Sequence, residues 1–353
     1  MGTLRLVSGN SFLGGKLEPN GTLEVDLPEQ HDLEVTLDED DLIWPGFIDF
    51  HLHLGDRGRD GFGVEPPDLC RAGVFAAGDA GTFGWKNLPP ARGGFPYRRW
   101  LSLLPYGLLS PSGDRYPGLD SEPRLIEAYE TNRDQLAGVK IRLGQHDLDE
   151  DELLLADGTR IARRLGAPLM VHITGTWIPL GDLVAALQPR DVITHLYHGR
   201  RGSILTDAGI DPAIEVARSK GVHLDLAHGR NHFSWRVFDS ACHRGIAVDT
   251  VSTDLTRSNR GRPPLIDLAH LCSKLLSAGF GWPELYRATV EVPGKYLRLA
   301  IPEGSLVVLR KREAPTTHYD CEGEFRSATH RWSPTLAVYA NRLVTTGLQK
   351  GTR

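Results

Sequence analysis

Hydrophobic and polar positions fall into two textures along the chain. Through residue 44, short stretches such as TLRLVS and TLEVDL alternate between apolar and polar, broken by the turn-forming EPNG and LPEQ. Period-two alternation of this kind predicts a few antiparallel strands with one face buried. From Pro45 the pattern changes. Eight short apolar runs follow in succession: GFIDFHLHL, GVFAAGDAGTF, RRWLSLLPYG, GVKIRLG, PLMVHITG, DVITHLYHG, VHLDLAHG and DTVSTDL.

Segments with a helical period lie between the later runs. SEPRLIEAYETNRDQLA opens with an N-cap candidate at Ser121 and a proline at Pro123. DLDEDELLLADGTRIARRLG is interrupted near Gly158 and stops at Gly166, and DPAIEVARSKG and WRVFDSACHRG each finish on a basic residue followed by glycine, as helix ends do. Strand and helix alternating eight times predict an α/β fold, a (β/α)8 TIM barrel. The connection after the first run fits least well, being glycine-rich with little helical pattern. Beyond Ile301, GSLVVLRK, THYDCEGEF and TLAVYANRLVTT return to strand texture. The expected organisation is a barrel over residues 45–302 and a small accessory β-sandwich domain built from both termini, residues 1–44 and 303–353.

Composition narrows the function classes. The 353 residues are 40% hydrophobic and 24% charged, which suits a soluble globular protein with an ample core. A net charge of −5 argues against a nucleic-acid surface, which is normally basic. No run is long enough to span a membrane, and MGTLRLVSGN has no apolar core of the kind a secretion signal needs. The four cysteines, Cys70, Cys242, Cys272 and Cys321, are scattered without CxxC spacing. That is the pattern of reduced thiols in a cytoplasmic protein. The expected partner is a small-molecule substrate, and assembly into a homo-oligomer stays open.

In a barrel the catalytic groups sit at the C-terminal strand ends. Those ends carry His51 and His53 on the first run, Lys140 on the fourth, His172 on the fifth, His195 on the sixth, His228 on the seventh and Asp254 on the eighth. Five of the chain's 14 histidines thus fall on ends that a barrel brings to one mouth. Alternation puts His51 and His53 on the same face of their strand. Four imidazoles and a carboxylate are a donor set for one or two divalent transition metals, zinc first, with iron or manganese as alternatives. Alone, Lys140 reads as a snorkelling lysine. Beside metal cations an ammonium is strongly disfavoured, and a deprotonated lysine carboxylated by CO2 becomes an anionic ligand bridging two ions.

These residues resemble the amidohydrolase superfamily. PGFIDFHLH, a lysine on strand four, single histidines on strands five and six and an aspartate on strand eight carry the likeness. GVHLDLAHGRNHFSW followed by DTVSTDL is similar to the amidohydrolase/deacetylase branch related to dihydroorotase. The resemblance spans about Leu42 to Leu309. It implies that His51 and His53 bind the more buried metal and that Lys140, as a carbamate, bridges to a second metal held by His172 and His195. It further implies that Asp254 ligates the first metal and handles the proton, and that His228 faces the substrate carbonyl or leaving group. His195 is preferred to His198 because it ends the apolar stretch.

The implied activity is hydrolysis of an amide or ester bond by a metal-activated hydroxide, as in deacylases and deacetylases, on a small carboxylate-bearing substrate. Arg142, two residues after Lys140, is a candidate for the substrate carboxylate, and Arg230 and His232 are further substrate-binding candidates. GDRGRDGFG after the two histidines reads as a loop at the mouth and lacks the helix that a phosphate-binding fingerprint needs. Two alternatives remain: ring opening of a cyclic amide or imide, as dihydroorotase does, and a non-catalytic barrel scaffold, against which the full ligand set speaks.

Overall fold

The computed structural model describes residues 2–28, 31–56, 60–110, 115–116 and 118–346. Residues 57–59 of the expected mouth loop and 347–353 of the C-terminal segment lie outside the described residues. Seven of the eight apolar runs form one parallel sheet in chain order: β1 (Phe47–Leu52), β2 (Val74–Asp79), β3 (Tyr97–Ser102), β4 (Leu136–Arg142), β5 (Leu169–His172), β6 (Val192–Thr194) and β7 (His223–Asp225). These strands are almost entirely buried, as expected where helices cover one face and the barrel interior the other.

The eighth run is not a regular strand, yet it closes the ring. On one side Leu226 N donates to Thr250 O and His228 N to Ser252 O, both at 3.0 Å. On the other, Asp254 N donates to His51 O at 2.7 Å and His53 N to Leu255 O at 3.0 Å. Asp49, buried in β1, strengthens this seam by accepting from Thr253 Oγ1 at 2.6 Å and Thr253 N at 3.1 Å. Burial pushes the Asp49 carboxyl up to about 7.

Helices α1 (Pro66–Arg71), α2 (Glu122–Thr131), α3 (Leu148–Leu165), α4 (Leu180–Ala186), α5 (Ala213–Ser219), α6 (Trp235–His243) and α7 (Leu268–Ser277) pack outside. Two expectations are corrected. A short helix, α1, does follow β1, and the connection without a helix among the described residues is 80–96, between β2 and β3. Also, α3 runs unbroken through Gly158. A Cβ there would lie 2.7 Å from Ile141 Cγ2, so this glycine lets the helix approach β4 and does not interrupt it.

The chain ends meet in two further sheets. One contains Gly2–Val7, Thr22–Leu27 and Leu33–Thr36; the other has six strands, in which Leu42–Trp44 pairs antiparallel with Leu306–Tyr319. Leu4, Leu6, Ile43, Leu306, Val308 and Leu336 belong to one apolar cluster between them. Trp44 points the other way, into Phe12, Phe47, Trp282 and Tyr286, and such aromatic pairs each add about 0.5–1.5 kcal/mol beyond area burial.

The hairpin of Leu306–Tyr319 and Phe325–Tyr339 is long enough to leave its sheet and reach the barrel. At its tip, Asp320 accepts from Trp235 N at 3.0 Å and Glu322 accepts from Ser234 Oγ at 2.6 Å. Cys321 N donates to Phe233 O at 3.0 Å. The tip therefore pins the loop after β7, residues 229–235, over the barrel mouth.

Candidate metal centre

His51 and His53 each rest on the same kind of relay. His51 Nδ1 lies 2.8 Å from Thr194 Oγ1, whose hydroxyl donates to Asp225 at 2.7 Å. His53 Nδ1 lies 3.0 Å from Thr82 Oγ1, whose hydroxyl donates to Asp79 at 2.5 Å. A threonine that has given its only proton to a carboxylate can only accept from the imidazole. Both rings are thereby held as Nδ1–H tautomers, with Nε2 left as a lone pair. His195 reaches the same state through the backbone, because its Nδ1 lies 2.8 Å from Ala227 O, which can only accept.

The freed nitrogens converge. His53 Nε2 lies 3.0 Å and His51 Nε2 3.4 Å from Asp254 Oδ1, and His51 Nε2 is buried without a hydrogen-bond partner. Lone pairs facing a carboxylate at this range require a cation. A proton on His53 is opposed by burial, which lowers that ring below the usual histidine range, so a divalent ion fits the donors better. Ligand atoms of His51, His195 and Asp254 all lie within 4.8 Å of one another.

Backbone geometry aims two of these side chains. His195 (φ 68°) and Asp254 (φ 53°) both sit in the left-handed region, which costs of order 1–3 kcal/mol per non-glycine residue. Gly229 answers a different need: at φ 51° it passes so close to Asp254 that a Cβ would stand 2.5 Å from Oδ2.

Burial sets the charge state of the remaining groups. It holds His172 and His195 well below the usual histidine range, which keeps both rings neutral and free to coordinate. It brings the Lys140 amine down to about 7, its Nζ lying 3.2 Å from Met170 Sδ. Arg142 pairs in register with His172 across β4 and β5, and its Nε is buried without a partner. A cavity of about 360 Å³ is lined by His51, His53, Lys140, His172, His195, Asp254, Arg142 and, at its exposed rim, Arg230.

His228 is the correction. It is fully buried and absent from the cavity wall. Its Nδ1 lies 2.7 Å from Gly229 O and its Nε2 2.7 Å from Lys274 Nζ, and the ring stacks on Phe233 at 4.8 Å. The cause is strand alternation itself: Asp225 turns inward to His51, whereas Leu224 and Leu226 pack in the outer core, and His228 shares their parity. His198 also stays off the wall. The imidazole that enters the cavity from this loop is His232. The sequence offers it as a candidate for the substrate and not as a ligand, because a loop position has no periodicity to place it. Sequence reasoning missed Asp79 and Asp225, although an aspartate inside an apolar run (FAAGDAG, VHLDLAH) was a visible signal.

No protein-family model matches the chain. Among characterised proteins it is similar to a deacetylase of Brucella anthropi, with 28% identity over 330 residues, covering 86% of this chain and 80% of that protein. It is also similar to a deacetylase of Agrobacterium fabrum, with 30% identity over 276 residues, covering 73% and 66% of the two chains. Among solved structures, a dihydroorotase superposes with a TM-score of 0.79 at 23% identity, covering 97% of this chain and 99% of that one. An adenine deaminase superposes with a TM-score of 0.78 at 22% identity, covering 96% and 98%. These two share the TIM-barrel fold. No described helix is long and apolar enough to cross a membrane. Sequence kinship to deacetylases, the shared barrel and the imidazole-lined mouth agree, and the chain belongs to the amidohydrolase superfamily as a hydrolytic enzyme.

Proposed function

We propose that the protein is a metal-dependent deacylase that cleaves an amide or ester bond in a small, carboxylate-bearing substrate. His51, His53 and Asp254 would hold one divalent ion and His172 and His195 a second, with carboxylated Lys140 bridging them. Zinc is the first choice, iron or manganese the alternatives. Bound there, such ions supply a water that ionises near neutral pH and a polarised scissile carbonyl. Asp254 takes a proton from the attacking water and passes it to the departing nitrogen or oxygen. Arg142 offers its planar fork to the substrate carboxylate, and Arg230 adds positive charge at the rim.

The observation that carries this reading is the set of buried lone pairs facing one carboxylate, with His51 Nε2 unpartnered. The buried Lys140 amine, brought down to about 7, supports carboxylation, because only the neutral amine adds CO2. The relatives named deacetylases support acyl removal. We also assign residues 45–302 to the catalytic barrel and 1–44 with 303–353 to an accessory β-sandwich, which the shared apolar cluster supports.

The test is a substrate screen on zinc-loaded protein with N-acyl amino acids, O-acyl hydroxy acids and cyclic ureides. Turnover of acyl compounds is expected. Turnover of cyclic ureides alone would move the chemistry to ring opening, and inertness toward all three classes would contradict the proposal.

A further inference from the structure

His232 lies outside the strand-end pattern, yet it joins the cluster. Its ring centroid is 4.1 Å from that of His195 and 5.1 Å from that of His172. Ligand atoms of these three histidines all lie within 4.8 Å of one another. His232 Nδ1 is buried without a partner, and Nε2 stands 3.7 Å from Asp254 Oδ2. Backbone hydrogen bonds hold the loop: His232 N donates to His228 O at 3.2 Å, Gly229 N to Thr253 O at 2.9 Å, and Ser234 N to Tyr197 O at 2.8 Å.

His195 can give only one nitrogen to an ion, because Ala227 O engages the other. It therefore cannot serve both the His51 and Asp254 group and the His172 and His232 group at once. Assigning His51, His53 and Asp254 to one ion leaves His172, His195 and His232 for the other. Three imidazoles with an open position form a complete donor set for a zinc-like ion.

We infer that His232 is a ligand of the second metal, completing a three-histidine site that retains its ion without carboxylated Lys140. This rests on the metal-hydrolase reading above. The bridging carbamate would then tune a site that the imidazoles already hold, and metal retention would not track CO2 supply.

The test is zinc binding by the full chain, stripped with chelator and titrated by chelator competition in CO2-free buffer. The variants are Lys140→Ala, His232→Asn and their combination. Lys140→Ala is expected to keep the second equivalent. The double variant should lose it, with affinity falling about 100-fold or more, since even residues that merely orient ligands cost about 10- to 100-fold. His232→Asn alone should make the second equivalent depend on added bicarbonate. In a His232→Gly variant, free imidazole should restore CO2-independent binding. A second ion indifferent to His232→Asn, or lost from Lys140→Ala with His232 intact, overturns the inference while leaving the metal reading standing. Wild-type protein that binds no zinc overturns both. Should His232→Asn fail to fold, the Lys140→Ala arm decides alone.

Discussion

Asp225→Asn tests whether the threonine relays orient the histidines. Asp225 is fully buried and accepts from Thr194 Oγ1 (2.7 Å), Thr250 Oγ1 (2.7 Å) and Ser252 Oγ (2.6 Å), with His51 Nδ1 at 3.3 Å. Burial alone would raise this carboxyl, but the His51 contact and the hydroxyl bonds outweigh it and hold it below the usual carboxylate range. Hydrogen bonds to a charged group are worth about 1.5–3 kcal/mol and neutral ones about 0.5–1.5 kcal/mol. Losing the charge therefore costs about 1 kcal/mol for each hydroxyl bond, or about 3 kcal/mol in all. Relief of the buried charge offsets part of this and leaves about 1–2 kcal/mol. The amide also turns a donor toward one pair of hydroxyls, so Thr194 is no longer compelled to accept from His51. Zinc affinity at the His51 site should fall about 10- to 100-fold. Urea unfolding of the metal-free protein reads the first quantity and chelator competition the second. Asp79→Asn, acting on His53 through Thr82, should behave alike. Unchanged zinc affinity in both folded variants would refute the relay argument.

Asp254→Asn should retain most of the zinc and lower turnover about 100- to 10,000-fold; near-normal turnover would remove Asp254 from proton handling. Arg142→Met should raise KM about 10- to 100-fold for substrates bearing a carboxylate, the equivalent of one charged hydrogen-bond pair. Analogues with that carboxylate amidated should be unaffected, and equal losses on both would contradict the assigned contact. His318, fully buried in the hairpin with both ring nitrogens unpartnered, is brought by burial from 6.5 down to about 4. Between those values the unfolded chain binds the extra proton, so stability should rise with pH through that window. His318 alone should contribute about 2 kcal/mol to the stability lost between pH 7.5 and pH 5, beside the other histidines that burial lowers, and His318→Leu should remove that share of the slope. An unchanged slope in that variant would contradict the assignment.

The barrel was legible because parallel strands covered on both faces read as unbroken apolar runs, and because six of the eight runs ended in groups that a shared mouth would bring together. His51 and His53 were legible as a pair one residue apart at a strand end, and both do line the cavity, although β1 shifts its register between Asp49 and Leu52. The strand-end reading failed at the seventh run. There, alternation from the inward Asp225 puts His228 with the outward Leu224 and Leu226, so it packs under the loop, and the imidazole that reaches the cavity is His232, which lies off the strand. The hairpin was legible as strands, but its reach was not. Strand character is encoded in local alternation, whereas the pairing with Leu42–Trp44 and the contacts of Asp320 and Glu322 with the β7 loop join positions distant in the chain.

The account stands on the claim that buried lone pairs at the barrel mouth hold divalent ions. Diffraction from zinc-loaded crystals on both sides of the zinc absorption edge addresses this directly. The expected result is an anomalous peak about 2.0–2.2 Å from His51 Nε2, His53 Nε2 and an Asp254 oxygen, with a second beside His172 and His195. Zinc bound elsewhere on the protein, with that cavity free of anomalous density, would contradict it.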